Sequence, residues 1–101
     1  MLIIYTTCAN TDEAKRLGKK IIDKKLAACV NFWPVGSMYN WEGKFKAVSE
    51  VMMSIKTFES KRQEVEDLIT KGHTYSCPII AGVDIRRINR PYKEWMTTVM
   101  R

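Results

Sequence analysis

The chain has 101 residues, 46% of them hydrophobic and 28% charged, which is enough for one domain (1–101) around a single core. Its formal net charge of +6 raises the question of a nucleic-acid partner, whereas no stretch approaches the roughly 18 apolar residues of a bilayer-crossing helix. Cys8, Cys29 and Cys77 are odd in number and form no Cys-x-x-Cys pair, which speaks against a disulfide framework and against a structural zinc site. The opening Met-Leu-Ile-Ile-Tyr has no basic flank and is too short for the apolar part of a signal peptide. The expectation is a cytoplasmic protein without a membrane anchor.

Leu2 to Thr7 is a β-branched and aromatic run, read as the first strand. Asn10-Thr-Asp-Glu13 has the form of a capping box, and Ala14, Leu17, Gly18, Ile21 and Ile22 follow at helical spacing. Lys15, Arg16, Lys19, Lys20 and Asp23 fall on the opposite face of that helix. A second strand starts at Leu26 and is interrupted by Pro34 and Gly36, so it belongs at a sheet edge with a bend. Glu42-Gly43 reads as a tight turn, and Phe45 to Lys56 alternates as a half-buried third strand. A second helix is expected to begin between Thr57 and Ser60, with Ser60 and Gln63 as its capping pair, and to stop at Gly72. Ile79 to Ile85 is read as a fourth strand, and Pro91 opens a short terminal helix carrying Tyr92, Trp95, Met96 and Val99 on one stripe.

This βαββαβ order plus a C-terminal helix is the α+β, ferredoxin-like split-βαβ sandwich, with an antiparallel sheet in the order 4-1-3-2. The expectation drawn with it is that strands one and three run parallel. Each hairpin arm has roughly 12 residues, or about 40 Å at 3.3 Å per residue. A compact domain of this size is only about 33 Å across. The hairpin therefore protrudes, and its tip, carrying Tyr39, Trp41 and Phe45, is expected to lie on another subunit.

Several motifs resemble the CutA divalent-ion tolerance family. They are Tyr5-Thr6-Thr7, Leu26-Ala-Ala-Cys-Val-Asn31, Ser37-x-Tyr-x-Trp-Glu-Gly-Lys44, Glu50-Val51, Lys56-Thr57, His73-x-Tyr75-x-x-Pro78 and Tyr92-x-x-Trp95. The resemblance runs in order through essentially the whole chain. It implies a homotrimer assembled like the PII signalling proteins, with hairpins interlocking between subunits, and an association with tolerance of copper and other divalent cations. It attaches no reaction. Family members usually have His-Pro-Tyr where this chain has His73-Thr74-Tyr75, and many carry a glutamate where this chain has Ile79. Some place a metal-binding cysteine at the position of Thr6.

For chemistry, the strand order brings Cys8, His73 and Cys77 toward one end of the sheet, with Lys56 nearby. Thiolate and imidazole suit copper, zinc and other soft or borderline ions. The expectation is a weak copper or other divalent-cation site and no obligatory cofactor. Tyr39, Trp41, Glu42, Lys44, Lys56 and Tyr75 offer an aromatic wall, both charges and a hydroxyl, either for a ligand cleft or for a subunit interface. There is no Gly-rich phosphate loop, no Gly-x-Ser-x-Gly, and only one histidine, without an evident acid partner, so an enzyme is not expected. An RNA-binding module of the same plan needs paired aromatics on its third strand, which Gly43 to Glu50 lacks. A trimeric scaffold for another protein is a further alternative.

Overall fold

Alternation in Leu2–Cys8 (β1) buries Leu2, Ile4, Thr6 and Cys8 on one face. The same period in Lys44–Thr57 (β3) buries Val51, Met53, Ile55 and Thr57. The computed structural model describes residues 1–101 and sets these strands side by side, Leu2 opposite Thr57 and Cys8 opposite Val51. Cys29–Trp41 (β2) lies at one edge and Ala81–Asp84 (β4) at the other, giving the order β2-β3-β1-β4. Pro34 thus sits on an edge strand, where its missing N–H breaks no ladder on the open side. The parallel relation expected between β1 and β3 is overturned, because the two are antiparallel neighbours. The helix after β1 returns the chain so that β2 starts in the direction of β1, and the hairpin then reverses β3.

Thr11–Asp23 (α1) starts as its sequence predicts. The Asn10 side chain accepts from the Glu13 N–H at 2.9 Å, but Glu13 Oε1 reaches back to the Ala9 N–H at 3.0 Å, one residue earlier than in a standard capping box. Ala14, Leu17, Gly18 and Ile21 face the sheet, while Ile22 remains exposed. The helix stops without glycine. Lys25 takes a positive φ of 57°, and the N–H groups of Lys25 and Leu26 return to the carbonyls of Ile22 and Ile21 at 2.9 and 3.0 Å.

The second helix differs more from expectation. Thr57 stays in β3, one 3₁₀ turn covers Glu59–Lys61, and Arg62–Gly72 (α2) begins later without a side-chain cap from Ser60. Arg62, bonded to Glu59 and Glu66 at 3.0 and 3.1 Å, ties that start together instead. β4 is shorter than read, because Ile79 and Ile80 belong to the loop, although Ile80 still packs on the core. Arg90–Val99 (α3) has its proline in the first turn and buries Met96.

The core has two parts. Leu2, Ile4, Ile21, Leu26, Ala27, Ile55, Val65 and Ile69 form the larger; Cys8, Ala14, Leu17, Val51 and Met53 form the smaller; Val30 and Leu68 touch both. β1 covers β3 only from Val51 to Thr57, so from Ser49 outward β3 pairs with β2 alone and is exposed. Glu42 and Gly43, with φ of 52° and 76°, close that ribbon as a two-residue turn of the primed type. The molecule consequently measures 46 Å along one axis and 25 and 21 Å along the others.

Two buried threonines test this packing with opposite signs. Thr57 Oγ1 donates to the Leu26 carbonyl at 2.6 Å, fastening the end of α1 to β3, whereas Thr6 Oγ1 is buried with no partner in the protein. Thr57→Val is expected to cost about 1–3 kcal/mol, and Thr6→Val to stabilise by about 1 kcal/mol. Urea midpoints that move in the same direction for both variants would contradict this account.

Candidate functional site

Three elements end at one place. Cys8 is the last residue of β1, Glu13 lies in the first turn of α1, and His73 follows the last turn of α2, its N–H bonded to the Ile69 carbonyl. One donor atom from each side chain, a sulfur, a carboxylate oxygen and a ring nitrogen, lies within 4.8 Å of the others. Cys8 is fully buried, as is the His73 side chain.

Hydrogen bonds fix the imidazole. Its Nδ1 accepts from the Tyr75 N–H at 3.0 Å, so Nε2 carries the proton and donates to the Thr7 carbonyl at 2.8 Å. Glu13 Oε1 lies 3.9 Å from Nδ1. Burial alone pushes the Glu13 carboxyl up, but hydrogen bonds from Thr74 and from the Ala9 N–H, together with His73, outweigh it and hold it below the ordinary carboxylate range. The Thr74 N–H reaches Oε2 at 3.0 Å, and Arg16 stands 3.8 Å away. Burial, followed by the negative charge of Glu13, pushes the Cys8 thiol up to about 12, and its sulfur lies 3.3 Å from that of Met53. Sulfur, imidazole and carboxylate form a donor set for copper, zinc and similar ions. A cation entering here must take the proton from Cys8 and break the hydrogen bond of whichever ring nitrogen it takes, that of Nδ1 with the Tyr75 N–H or that of Nε2 with the Thr7 carbonyl.

Beside this cluster is a cleft of about 510 Å³ between the hairpin and the 74–79 loop, lined by Thr7, Tyr39, Trp41, Glu50, Thr74, Tyr75, Ser76, Cys77 and Ile79. The Tyr75 hydroxyl donates to Glu50 Oε2 at 2.7 Å; burial first, and that carboxylate second, push the phenol above its usual range. The Tyr75 and His73 rings are 4.9 Å apart.

The structure therefore brings Cys8 and His73 together and adds Glu13, which the sequence marks only as a helix cap. Cys77 is outside this group, exposed on the cleft. Of the six residues read as cleft or interface, Tyr39, Trp41 and Tyr75 line the cleft. Glu42 forms the turn and Lys44 stands beside it, away from the lining. Lys56 is elsewhere too, its Nζ 5.7 Å from the centre of the Tyr92 ring. Glu50 is a cleft residue that the sequence marks only through the Glu50-Val51 motif and not as a site candidate, although its place on the outer face of an alternating strand among apolar neighbours is a further signal.

The family model described as CutA1 divalent ion tolerance protein matches residues 2–99. The divalent-cation tolerance protein CutA of Archaeoglobus fulgidus is 40% identical over 93 residues, covering 92% of this chain and 91% of that one. The human protein CutA is 35% identical and covers 94% of this chain but 54% of its own length, so the chain spans about half of that relative. Among solved structures, CutA1 of Pyrococcus horikoshii superposes with a TM-score of 0.96 at 30% identity, covering 100% of this chain and 99% of that one. The Archaeoglobus fulgidus structure superposes at 0.95 with 37% identity over the whole of both chains, and is described as a periplasmic divalent cation tolerance protein. That description overturns the cytoplasmic placement expected from the cysteines and the first residues. The physical reason is that an unpaired thiol sealed in a core, as Cys8 is, says little about the redox state outside.

Because the Glu13 carboxyl is held below its unfolded value, it stabilises the fold above the unfolded pKa, and this stabilisation is lost as pH falls through the folded one. Glu13→Gln is expected to lower stability near neutral pH by about 1.5–3 kcal/mol and to flatten the acid limb below about pH 4. Urea titrations of both proteins across that range check it; an acid limb of unchanged slope would contradict the assignment.

Proposed function

The chain belongs to the CutA1 divalent ion tolerance family, and from that premise we propose that it serves divalent-cation tolerance as a homotrimer. In this reading it takes up a borderline ion such as copper weakly and catalyses no reaction. The observation that carries the reading is the convergence of Cys8, Glu13 and His73 within 4.8 Å at the junction of β1, α1 and α2. Uptake is weak because every donor already has a use: the thiol holds its proton, Nδ1 holds the Tyr75 N–H, and the carboxylate holds two backbone N–H groups. Cys77, exposed on the adjoining cleft, supplies a second thiol for a soft ion.

The trimer rests on the hairpin. Its outer half leaves Met38 77% and Phe45 67% exposed, with Trp41 and Tyr39 also exposed. A lone two-stranded ribbon is marginal in water, and apolar side chains concentrated on one mark a surface that associates.

Ligation by Cys8 requires loss of a proton that the thiol keeps up to about pH 12. Zinc affinity, measured by calorimetry because zinc does not oxidise thiols, is therefore expected to rise by up to about tenfold per pH unit across the neutral range. Cys8→Ser should remove that slope, and His73→Ala should weaken binding at every pH. Equal affinities in the parent and both variants would refute the site.

Light scattering at micromolar concentration is expected to give the mass of three subunits. Trp41→Ala, truncating a large aromatic at the interface at a cost of about 2–4 kcal/mol, should make the melting temperature more dependent on concentration. A mass of one subunit in the unaltered protein would overturn the assembly.

A further inference from the structure

We infer that Met53 joins the Cys8–Glu13–His73 cluster as a sulfur ligand and makes it selective for copper in its monovalent state, an inference that rests on the metal uptake proposed above. Cys8 and Met53 are diagonal neighbours across the β1–β3 ladder, where Thr6 stands opposite Met53 and Cys8 opposite Val51. Both face the core, and both are 0% exposed. The Cys8 S–H donates to the Met53 thioether, with the two sulfurs 3.3 Å apart. A ring nitrogen of His73, whose side chain is also buried, lies within 4.8 Å of the Cys8 sulfur. These three side chains belong to one subunit and are sealed inside it, so assembly neither supplies nor removes any of them.

A thioether carries no charge and is a poor ligand for hard ions; beside a thiolate it selects monovalent copper. Charge points the same way. With the thiol protonated, the group is formally neutral, because Glu13 carries one negative charge and Arg16, 3.8 Å away, one positive charge. When monovalent copper enters, the Cys8 S–H bond breaks, an S–Cu bond forms and the proton leaves to water. One positive charge replaces another, so the formal charge is unchanged whatever the neighbouring subunits contribute. No electron is transferred, because the copper arrives already reduced. A divalent ion making the same exchange leaves an extra positive charge in a place closed to water, which is costly. Zinc also wants a tetrahedral set of ligands. It would have to pull Glu13 off the Ala9 and Thr74 N–H groups, each held at 3.0 Å. Monovalent copper leaves both bonds in place. Gly18 of α1 has no Cβ against the Met53 methyl, where one would stand 3.7 Å away, and the unbranched thioether adapts as the sulfurs part to admit an ion.

The test titrates the intact protein with monovalent copper, without oxygen and in competition with bicinchoninate, and separately with zinc by calorimetry. Met53→Leu keeps the volume of the core. It is expected to weaken copper at least about tenfold, the low end of what altering the surroundings of a metal ligand costs, and to leave zinc unchanged. X-ray absorption at the copper edge should find two sulfur neighbours in the parent and one in Met53→Leu; the parent's own count requires no variant to fold. A single sulfur in the parent overturns the inference, as does equal copper affinity in Met53→Leu or a matching loss for zinc. Unchanged affinity for both ions in Cys8→Ser and His73→Ala is a different failure, which brings down the cluster itself and the ligand role of Met53 with it.

Discussion

A buried carboxylate holds the functional end of this molecule together. Glu13 stands in the first turn of α1, where the helix N-terminus favours negative charge, and spends its two oxygens on different segments. Oε1 accepts from Ala9, fixing how β1 turns into α1, and Oε2 accepts from Thr74, fixing how the chain leaves α2. The two donors come from opposite parts of the sequence and are both held by this side chain. His73 is then pinned between the Thr7 carbonyl and the Tyr75 N–H, so its ring has one orientation and one tautomer. Replacing Glu13 by an apolar residue would strand two part-buried donors at once, and the 73–75 segment would lose one of its anchors.

The second constraint is a mismatch of strand lengths. β1 has 7 residues and β3 has 14, so half of β3 has no neighbour on its inner side. Burial along β3 begins at Glu50, beside the last pair that β1 makes, Cys8 with Val51. Everything outward of that line is a two-stranded ribbon with apolar side chains facing water. The cleft forms at the same line, because there the ribbon leaves the body of the protein and the 74–79 loop faces it.

Much of this is legible in the sequence because it is local. The Asn10–Glu13 spacing, the alternation from Phe45 to Lys56, the Glu42-Gly43 turn and Pro34 on an edge each depend on neighbours a few residues away. Sequence and structure part where distant segments decide. Ser60 and Gln63 resemble a cap and draw the helix back toward Thr57, but the Thr57 hydroxyl is held by the carbonyl of Leu26, 31 positions earlier. The strand order groups Cys77 with Cys8 and His73, yet the chain turns after His73 and leaves Cys77 on the cleft. Glu13 and Glu50 both read as ordinary acids, one a helix cap and the other an outward strand residue. Their partners, Thr74 and Tyr75, come from a loop far along the chain.

Thr74 shows how one departure from a motif alters the chemistry around it. The resemblance read from the sequence leads one to expect proline between the histidine and the tyrosine, and proline has no N–H. In this chain the residue there is threonine, and its N–H is the one that Glu13 Oε2 accepts. The extra donor helps keep Glu13 charged in a buried place, and that charge in turn helps raise the Cys8 thiol. The same three residues, 73–75, join the cluster to the cleft. Any group that takes Nδ1 of His73 must displace the Tyr75 N–H, and the Tyr75 hydroxyl is the partner of Glu50. Tyr75 thus touches both places, its backbone through His73 and its hydroxyl through Glu50, and its ring stands 4.9 Å from that of His73.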